Sequence, residues 1–350
     1  MAQTFRTEPL PSVAAARADW EALAERSGNL FATHEWALAW CRHLAGEAQP
    51  TPVACMRADG TVAGILPLVG GRERGLRVLR LIGHGPSDEL APICAPEDRP
   101  AVAEAMRGYL DESGADLFIG DQMPAAEGWG TALGARELTV EASPVLEIGD
   151  LDWEGWLAQR SRNFRQQVRR RERKLAEAGD LAFRLCEDPA RLDDDLETLF
   201  SLHDARWEGE DVSAFAGPRR AMHREFAAAA FARGWLRLWL LELDGRALAA
   251  WYGFRFARSC WYYQSGRDPQ ASADNVGFVL LCHTVREAFT DRMREYKLLR
   301  GDEDYKGRFA SDDPGLETVV LPLSARGKAA LLASRARPLA TQALRRFRKA

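Results

Sequence analysis

No stretch of this 350-residue chain approaches the uninterrupted apolar run of about 20 residues that spans a bilayer. The N-terminus also lacks the charged and apolar regions of an export signal, so a cytoplasmic location is predicted. Six cysteines (Cys41, Cys55, Cys94, Cys186, Cys260, Cys282) include no C-x-x-C pair and no metal-like His/Cys spacing. They read as reduced, buried thiols, with no metal expected. Charge of one sign is missing too: 47 Lys and Arg against 51 Asp and Glu leave a net charge of −4. A global field for DNA is thereby excluded, and any anion site must be a local patch. Absence of a G-x-S-x-G elbow and of H-E-x-x-H argues against those hydrolase and zincin templates. The turn Gly83-His-Gly-Pro-Ser-Asp88 lacks the third glycine and the immediate helix of a dinucleotide fingerprint.

What is present is an ordinary globular composition, 46% apolar and 28% charged, in a length that suits about two domains. Strand-like and helix-like patterns alternate, which predicts a mixed α/β (α+β) architecture. In the first half, helices around Ser12–Arg26 and His34–Leu44 precede strands at Thr51–Arg57, Val62–Val69, Leu76–Ile82 and Glu89–Cys94. A helix Pro96–Ser113 and strands Ala115–Gly120 and Glu137–Ile148 complete it. The boundary is placed near Gly149–Asp152, giving domains 1–150 and 151–324 and a basic tail, 325–350. The second half opens with a basic helix Arg160–Ala178, then a strand Leu181–Cys186 and helices Pro189–Trp207 and Pro218–Arg233. A meander follows (Trp235–Leu243, Arg246–Phe256, Cys260–Gly266), with a hairpin turn at Asp244-Gly245. After it come a helix Val276–Arg292 and strands Glu295–Leu299 and Leu316–Leu323.

The decapeptide Arg300-Gly-Asp-Glu-Asp-Tyr-Lys-Gly-Arg-Phe309 concentrates opposite charges and a phenol just after an apolar strand. Gly301 supplies the turn and displays Asp302, Glu303, Asp304, Tyr305 and Lys306 at the strand's C-terminal end, where ligands of open α/β sheets sit. In the basic helix, eight cations lie between Arg160 and Lys174. Arg162, Arg165, Arg169 and Arg173 share one stripe, and Phe164, Val168 and Leu175 another about 150° round. Like charges at i,i+4 repel, so helix stability does not explain the stripe; it either recognises phosphate or pairs with Asp193-Asp194-Asp195. Asp274 and Asn275 are natural N-caps for the helix that follows, and Gly277 would allow close approach of a ligand to its backbone. Alternation along Trp261-Tyr-Tyr-Gln264 sends Tyr262 and Tyr263 to opposite faces. His203, Arg206 and Trp207 fall on one helix face at i, i+3, i+4.

The words Leu202-His-Asp-Ala-Arg-Trp207, Ala249-Ala-Trp-Tyr252, Trp261-Tyr-Tyr-Gln-Ser-Gly266 and Gly301-Asp-Glu-Asp-Tyr-Lys306 together resemble the FemAB-like acetyltransferases, the CelD/BcsL group in particular. The likeness runs from about Trp20 to Leu323. It implies two tandem GNAT-like domains, the first degenerate, each with a mixed, largely antiparallel sheet flanked by helices. It further implies acyl transfer from acetyl-CoA or another acyl-CoA to an amine, such as an amino sugar of polysaccharide or envelope assembly. On this resemblance Lys306 stabilises the oxyanion beside Tyr305; Asp302, Glu303 or Asp304 of the same turn is the candidate to take the proton of the incoming ammonium. Arg267, Asn275, Val276 and Gly277 meet the donor's phosphates, although the usual Q/R-x-x-G-x-G/A loop is not matched there. On the same resemblance Asp88 and at least one of Tyr262 and Tyr263 contact substrate, while Arg162, Arg165 and Arg169 of the stripe and the face of His203, Arg206 and Trp207 are further substrate-binding candidates. Two other readings remain: an aminoacyl-tRNA-dependent transferase, suited by the arginine stripe and the basic tail, and a non-catalytic binder of a phosphorylated glycan. The tail also allows peripheral contact with an anionic membrane.

Overall fold

The computed structural model describes residues 5–206 and 213–335. It divides into two units: residues 1–143, 300–302 and 313–350 in the first, and 144–299 and 303–312 in the second. The first contains β1 (Arg6–Pro9), α1 (Arg17–Ser27), α2 (His34–His43), β2 (Gln49–Pro50), β3 (Val53–Met56), β4 (Val62–Leu66), β5 (Leu68–Glu73), β6 (Leu76–Leu81), β7 (Ile93–Cys94), α3 (Arg99–Glu112), β8 (Leu117–Pro124), α4 (Trp129–Leu133) and β9 (Arg136–Glu141). The second contains β10 (Val145–Glu147), α5 (Trp153–Ala158), α6 (Arg162–Ala178), β11 (Leu181–Leu185), α7 (Leu192–Arg206), α8 (Pro218–Ala232), β12 (Leu236–Leu243), β13 (Arg246–Phe256), β14 (Ser259–Arg267), α9 (Val276–Thr290) and β15 (Glu295–Lys297). β16 (Leu316–Pro322) and α10 (Ala325–Arg335) return to the first.

Unit one holds two sheets, β1-β3-β4-β7 and β2-β5-β6-β8-β16-β9. Its apolar core, built on Leu66, Leu68, Met106, Phe118 and Trp129, draws from both. Three strands read as continuous in the sequence are cut or shortened by prolines, which cannot donate to a ladder. The run 62–69 breaks at Pro67 into β4 and β5 of different sheets, and 89–94 keeps only two residues, after Pro92. The run 137–148 breaks before Pro144, so β9 pairs with β16 in unit one and β10 with β15 in unit two. The division therefore falls at Ser143/Pro144, not at Gly149–Asp152. The strand expected to close the second domain, β16, instead lies between β8 and β9.

Unit two is one sheet, β10-β15-β14-β13-β12-β11, antiparallel except where β14 meets β15. β13 is almost uninterruptedly buried, because both of its faces are covered. Ala249 and Trp251 join the α9 core, whereas Tyr252 reaches His223 on α8 and Phe254 packs on Phe226. Asp244 (φ 51°) and Gly245 (φ 77°) make the two-residue hairpin that their sequence announces. α9 is apolar nearly all round because α6 covers its outer side, with Phe164 against Phe278 and Arg286 bonded to Glu172 at 2.7 Å.

Within this packing His283 of α9 stacks flat on Phe183 (4.1 Å, 8°) and meets Trp239 edge-on. Burial, aided by Arg286, pushes it down to about 4, and burial pushes His223 down to about 3. Each folded value lies below that of the unfolded chain, so the unfolded state binds more protons as pH falls through 6.5. Stability is therefore expected to drop between pH 7 and pH 5, by up to about 2 kcal/mol per histidine. Urea titrations at the two pH values check this. His283→Phe keeps the stacking and removes one proton site, so an unchanged slope in that variant overturns the assignment.

Candidate active site

β14 carries the site because it departs from regular geometry twice. Tyr252 pairs with Gln264 and Gly253 with Tyr262, so Tyr263 is an extra residue on β14, a β-bulge. Residues three apart on a regular strand point to opposite faces, yet the Tyr262 hydroxyl lies 2.7 Å from Ser265 Oγ. Tyr262 and Ser265 thus share a face, with Tyr262 stacked on Trp251 against the α9 core. Tyr263 turns the other way, its hydroxyl 3.4 Å from His223 Nε2. The second departure is a splay: β14 and β15 pair only over Ser259–Trp261 and Glu295–Lys297, while β14 continues to Arg267. Beyond Trp261 the β15-facing edge of β14 is unpaired by that strand, which gives an extended ligand main-chain partners.

At the far end of this edge the chain turns into α9. Asp268 shapes the turn, bonding Arg246 and accepting from the Gln270 amide at 2.8 Å. Asn275 occupies the N-cap position in the left-handed region (φ 59°), but its side chain makes no capping bond, contrary to the sequence expectation. Its geometry explains this: capping side chains act from extended backbone. The Asp274 side chain lies outside the described residues. Val276 is buried, Gly277 is half-buried, and the Arg267 side chain passes 3.7 Å from where a Gly277 Cβ would sit. Backbone amides at a helix N-terminus beside a guanidinium form an anion site.

At the C-terminal end of β15, Leu299 adopts φ 58° and Gly301 φ 124°. The turn returns Lys306 to the interior at 4% exposure, with Nζ 3.2 Å from the Leu299 carbonyl and 2.9 Å from Glu303 Oε2. Glu303 is a partner of this ammonium, and the turn's i,i+3 spacing favours it. Asp302 and Asp304 are exposed, and Tyr305 packs on the α9 core.

The arginine stripe of α6 is exposed apart from the half-buried Arg165, and it is locally engaged. Arg165 donates to the carbonyls of Ala158 and Arg160, Arg169 meets Glu154 at 3.1 Å, and Arg173 meets Glu177 at 3.5 Å; Arg162 is exposed. The acids read as possible partners go elsewhere, Asp193 to Arg224 and Asp195 to Arg184. The cations that line a concavity are others: Arg160 and Arg308, with Ser161, Asn163, Phe164 and Gln167, around about 240 Å³. Arg308 was legible as part of the charged decapeptide; its seat beside α6 was not. His203 is buried under β14, its backbone tight against Gly266 and its Nδ1 3.3 Å from Ser213 Oγ, a packed position rather than a cleft wall. Trp207, the Arg206 side chain and the tail beyond residue 335 lie outside the described residues. In unit one Asp88 is buried and faces Arg300 at 3.5 Å, with the turn held by Trp36 donating to Ser87 Oγ at 2.8 Å.

Among the described residues one group has side chains at metal-ligand spacing, Glu21, His34 and Glu35 in unit one. Arg17 already supplies counter-charge there, 2.7 Å from Glu21 and 3.9 Å from Glu35. The six cysteines form no disulfide. No described helix is long and apolar enough to cross a membrane.

The site is thus a β-bulged, splayed sheet with a helix N-terminus at its open end. Residues 162–307 match the family model described as an acetyltransferase (GNAT) domain, a match to less than half of the chain. The fold is similar to that of FemX (TM-score 0.63, 12% identity, 91% of this chain and 97% of that one). It is also similar to the C-terminal domain of a protein named as a lysylphosphatidylglycerol synthetase from Agrobacterium fabrum (0.59, 12%, 93% and 96%). A third likeness is to L-PGS from Bacillus licheniformis (0.56, 12%, 91% and 95%). At these identities the likeness is one of fold. No curated protein matches the sequence.

Proposed function

We propose that this protein is an N-acyltransferase that moves an acyl group from acyl-CoA to an amine, with an amino sugar of polysaccharide or envelope assembly as the acceptor class. The observation that carries the reading is the unpaired edge of β14 leading into the α9 N-terminus beside Arg267. The pantetheine arm lies along that edge and the pyrophosphate meets the amides at Val276 and Gly277. The amine nitrogen attacks the thioester carbonyl to form the C–N bond and an oxyanion; as the tetrahedral centre collapses the C–S bond breaks, and the leaving thiolate takes up the proton that the nitrogen sheds. Lys306 is the cation at the strand end that stabilises this oxyanion, and Glu303, 2.9 Å from Nζ, holds it in place. Tyr262 and Ser265, joined on one face of β14, orient the acyl end.

Acetyl-CoA at one hundred times its Kd is expected to stabilise the folded protein by about 2.7 kcal/mol, read as a rise in Tm. Gly277→Asp keeps the fold, since a Cβ there meets only ordinary contacts and an acid suits a first helical turn, but its carboxylate repels the pyrophosphate. The variant is expected to lose the shift. No shift in the wild-type protein, together with retention of aminoacyl-tRNA on a filter, would replace acyl-CoA by aminoacyl-tRNA as donor.

A further inference from the structure

The cavity at the start of α6 holds charge that the acyltransfer chemistry leaves unexplained. Arg160 lies over the Trp156 ring at 4.7 Å, and Arg308 over Phe164 and Phe278 at 4.9 and 5.3 Å. Arg171 covers Phe278 as well, at 4.6 Å. Phe278 belongs to the first turn of α9, so these guanidiniums converge beside the helix N-terminus assigned to the pyrophosphate. Arg308 donates to Gln167 Oε1 at 2.6 Å, which fixes its plane, while Asn163 and Ser161 add neutral polar groups to the wall. Neighbouring arginines show what is missing: Arg169, Arg184 and Arg286 each meet a carboxylate within 3.1 Å. Among the described residues no carboxylate meets Arg160, Arg171 or Arg308. Burial depresses proton affinity at Arg160, and burial together with Arg308 depresses it at Arg171. Half-buried guanidiniums on aromatic platforms without a counter-ion are unfavourable until an anion arrives.

We propose that this cavity is a subsite for a phosphate monoester at the nucleotide end of the donor, separate from the α9 amides that take the pyrophosphate. The chemistry selects a monoester: it carries close to two charges at neutral pH and three acceptor oxygens, matching paired arginine forks better than a singly charged diester. About 240 Å³ accommodates the phosphate with part of its sugar. For an acyl-CoA the group is the 3′-phosphate, so the inference rests on the acyl-CoA reading and sharpens it. Discrimination for the donor then comes from a pocket remote from the reacting carbonyl.

The test compares CoA with 3′-dephospho-CoA by calorimetry on the wild-type chain and on Arg160→Gln, Arg308→Gln and the double variant. CoA is expected to bind at least tenfold more tightly than its dephospho form to the wild type. The double variant is expected to bind both equally, with the dephospho-CoA Kd and the ligand-free Tm unchanged. Equal affinity in the wild type, or discrimination that survives both substitutions, overturns this subsite and leaves the acyl-CoA reading standing. Failure of either ester to bind the wild type overturns the acyl-CoA reading itself, and the subsite with it.

Discussion

Lys306→Met is expected to lower acyl transfer by about 10²–10³-fold while the Kd for the acyl donor stays within a few-fold of wild type. The reason is positional. Nζ is fixed at the C-terminal end of β15 by the Leu299 carbonyl and by Glu303, so its charge is in place before the oxyanion forms. Methionine fills much of the same buried space without charge, so the packing loss is small. The abandoned Leu299 carbonyl costs about 1–3 kcal/mol, which lowers Tm by a few degrees without unfolding the protein. Single-turnover kinetics, donor titration and a melting curve on the same preparation separate the roles. Undiminished transfer at lowered Tm makes Lys306 a structural strut and removes it from the chemistry. Glu303→Gln is the companion measurement: it keeps the hydrogen bond and removes the charge, so a positioning residue gives a smaller loss than Lys306→Met.

Gly266→Ala is expected to destabilise the fold by about 3 kcal/mol, the upper end of overpacking effects. A Cβ at this position would lie 2.4 Å from the His203 backbone nitrogen and 2.6 Å from the Leu202 carbonyl carbon. Both are main-chain atoms of α7, so no rotamer change relieves the contact and the helix must lift from β14. Gly277→Ala is the control, because the nearest atom to its Cβ is Arg267 Cδ at 3.7 Å. Urea midpoints are expected to fall for Gly266→Ala and to stay level or rise slightly for Gly277→Ala. Since Gly266 lies on the stretch of β14 that β15 leaves unpaired, the lifted helix also weakens donor binding. Wild-type stability in Gly266→Ala would mean that α7 does not seat on the strand at this depth.

Much of the second unit was legible because its signals are local. The Asp244-Gly245 hairpin, the buried stripe of Phe164, Val168 and Leu175, and the apolar helix beginning at Val276 each follow from spacing or turn chemistry within a few residues. The prolines at 67, 92 and 144 are equally local signals, and each interrupts a run that alternation alone reads as one strand. Residue types at the site were legible too, since the charged turn carries Lys306 wherever it folds; that the lysine turns inward rather than being displayed was not. The arginine stripe shows the limit of periodicity. A helical wheel finds which cations share a face, but not whether Glu154 or Glu177 meets them or which arginine a distant segment completes.

By itself the sequence determined the element types, the apolar faces and the residue types carried by the 300–309 turn, because all of these depend on neighbours along the chain. Tertiary structure alone decided three things: that β16 leaves the second unit to complete the first unit's sheet, that the bulge at Tyr263 brings Tyr262 and Ser265 onto one face, and that Arg308 joins Arg160 around a pocket without a carboxylate. The first and third are relations between segments far apart in the chain and the second depends on the register of β14 on β13; sheet register and side-chain packing set them rather than local preference. A lysine at a strand end is a property of the sequence; that its partner is Glu303, and that its ammonium is buried against the Leu299 carbonyl, is a property of the fold.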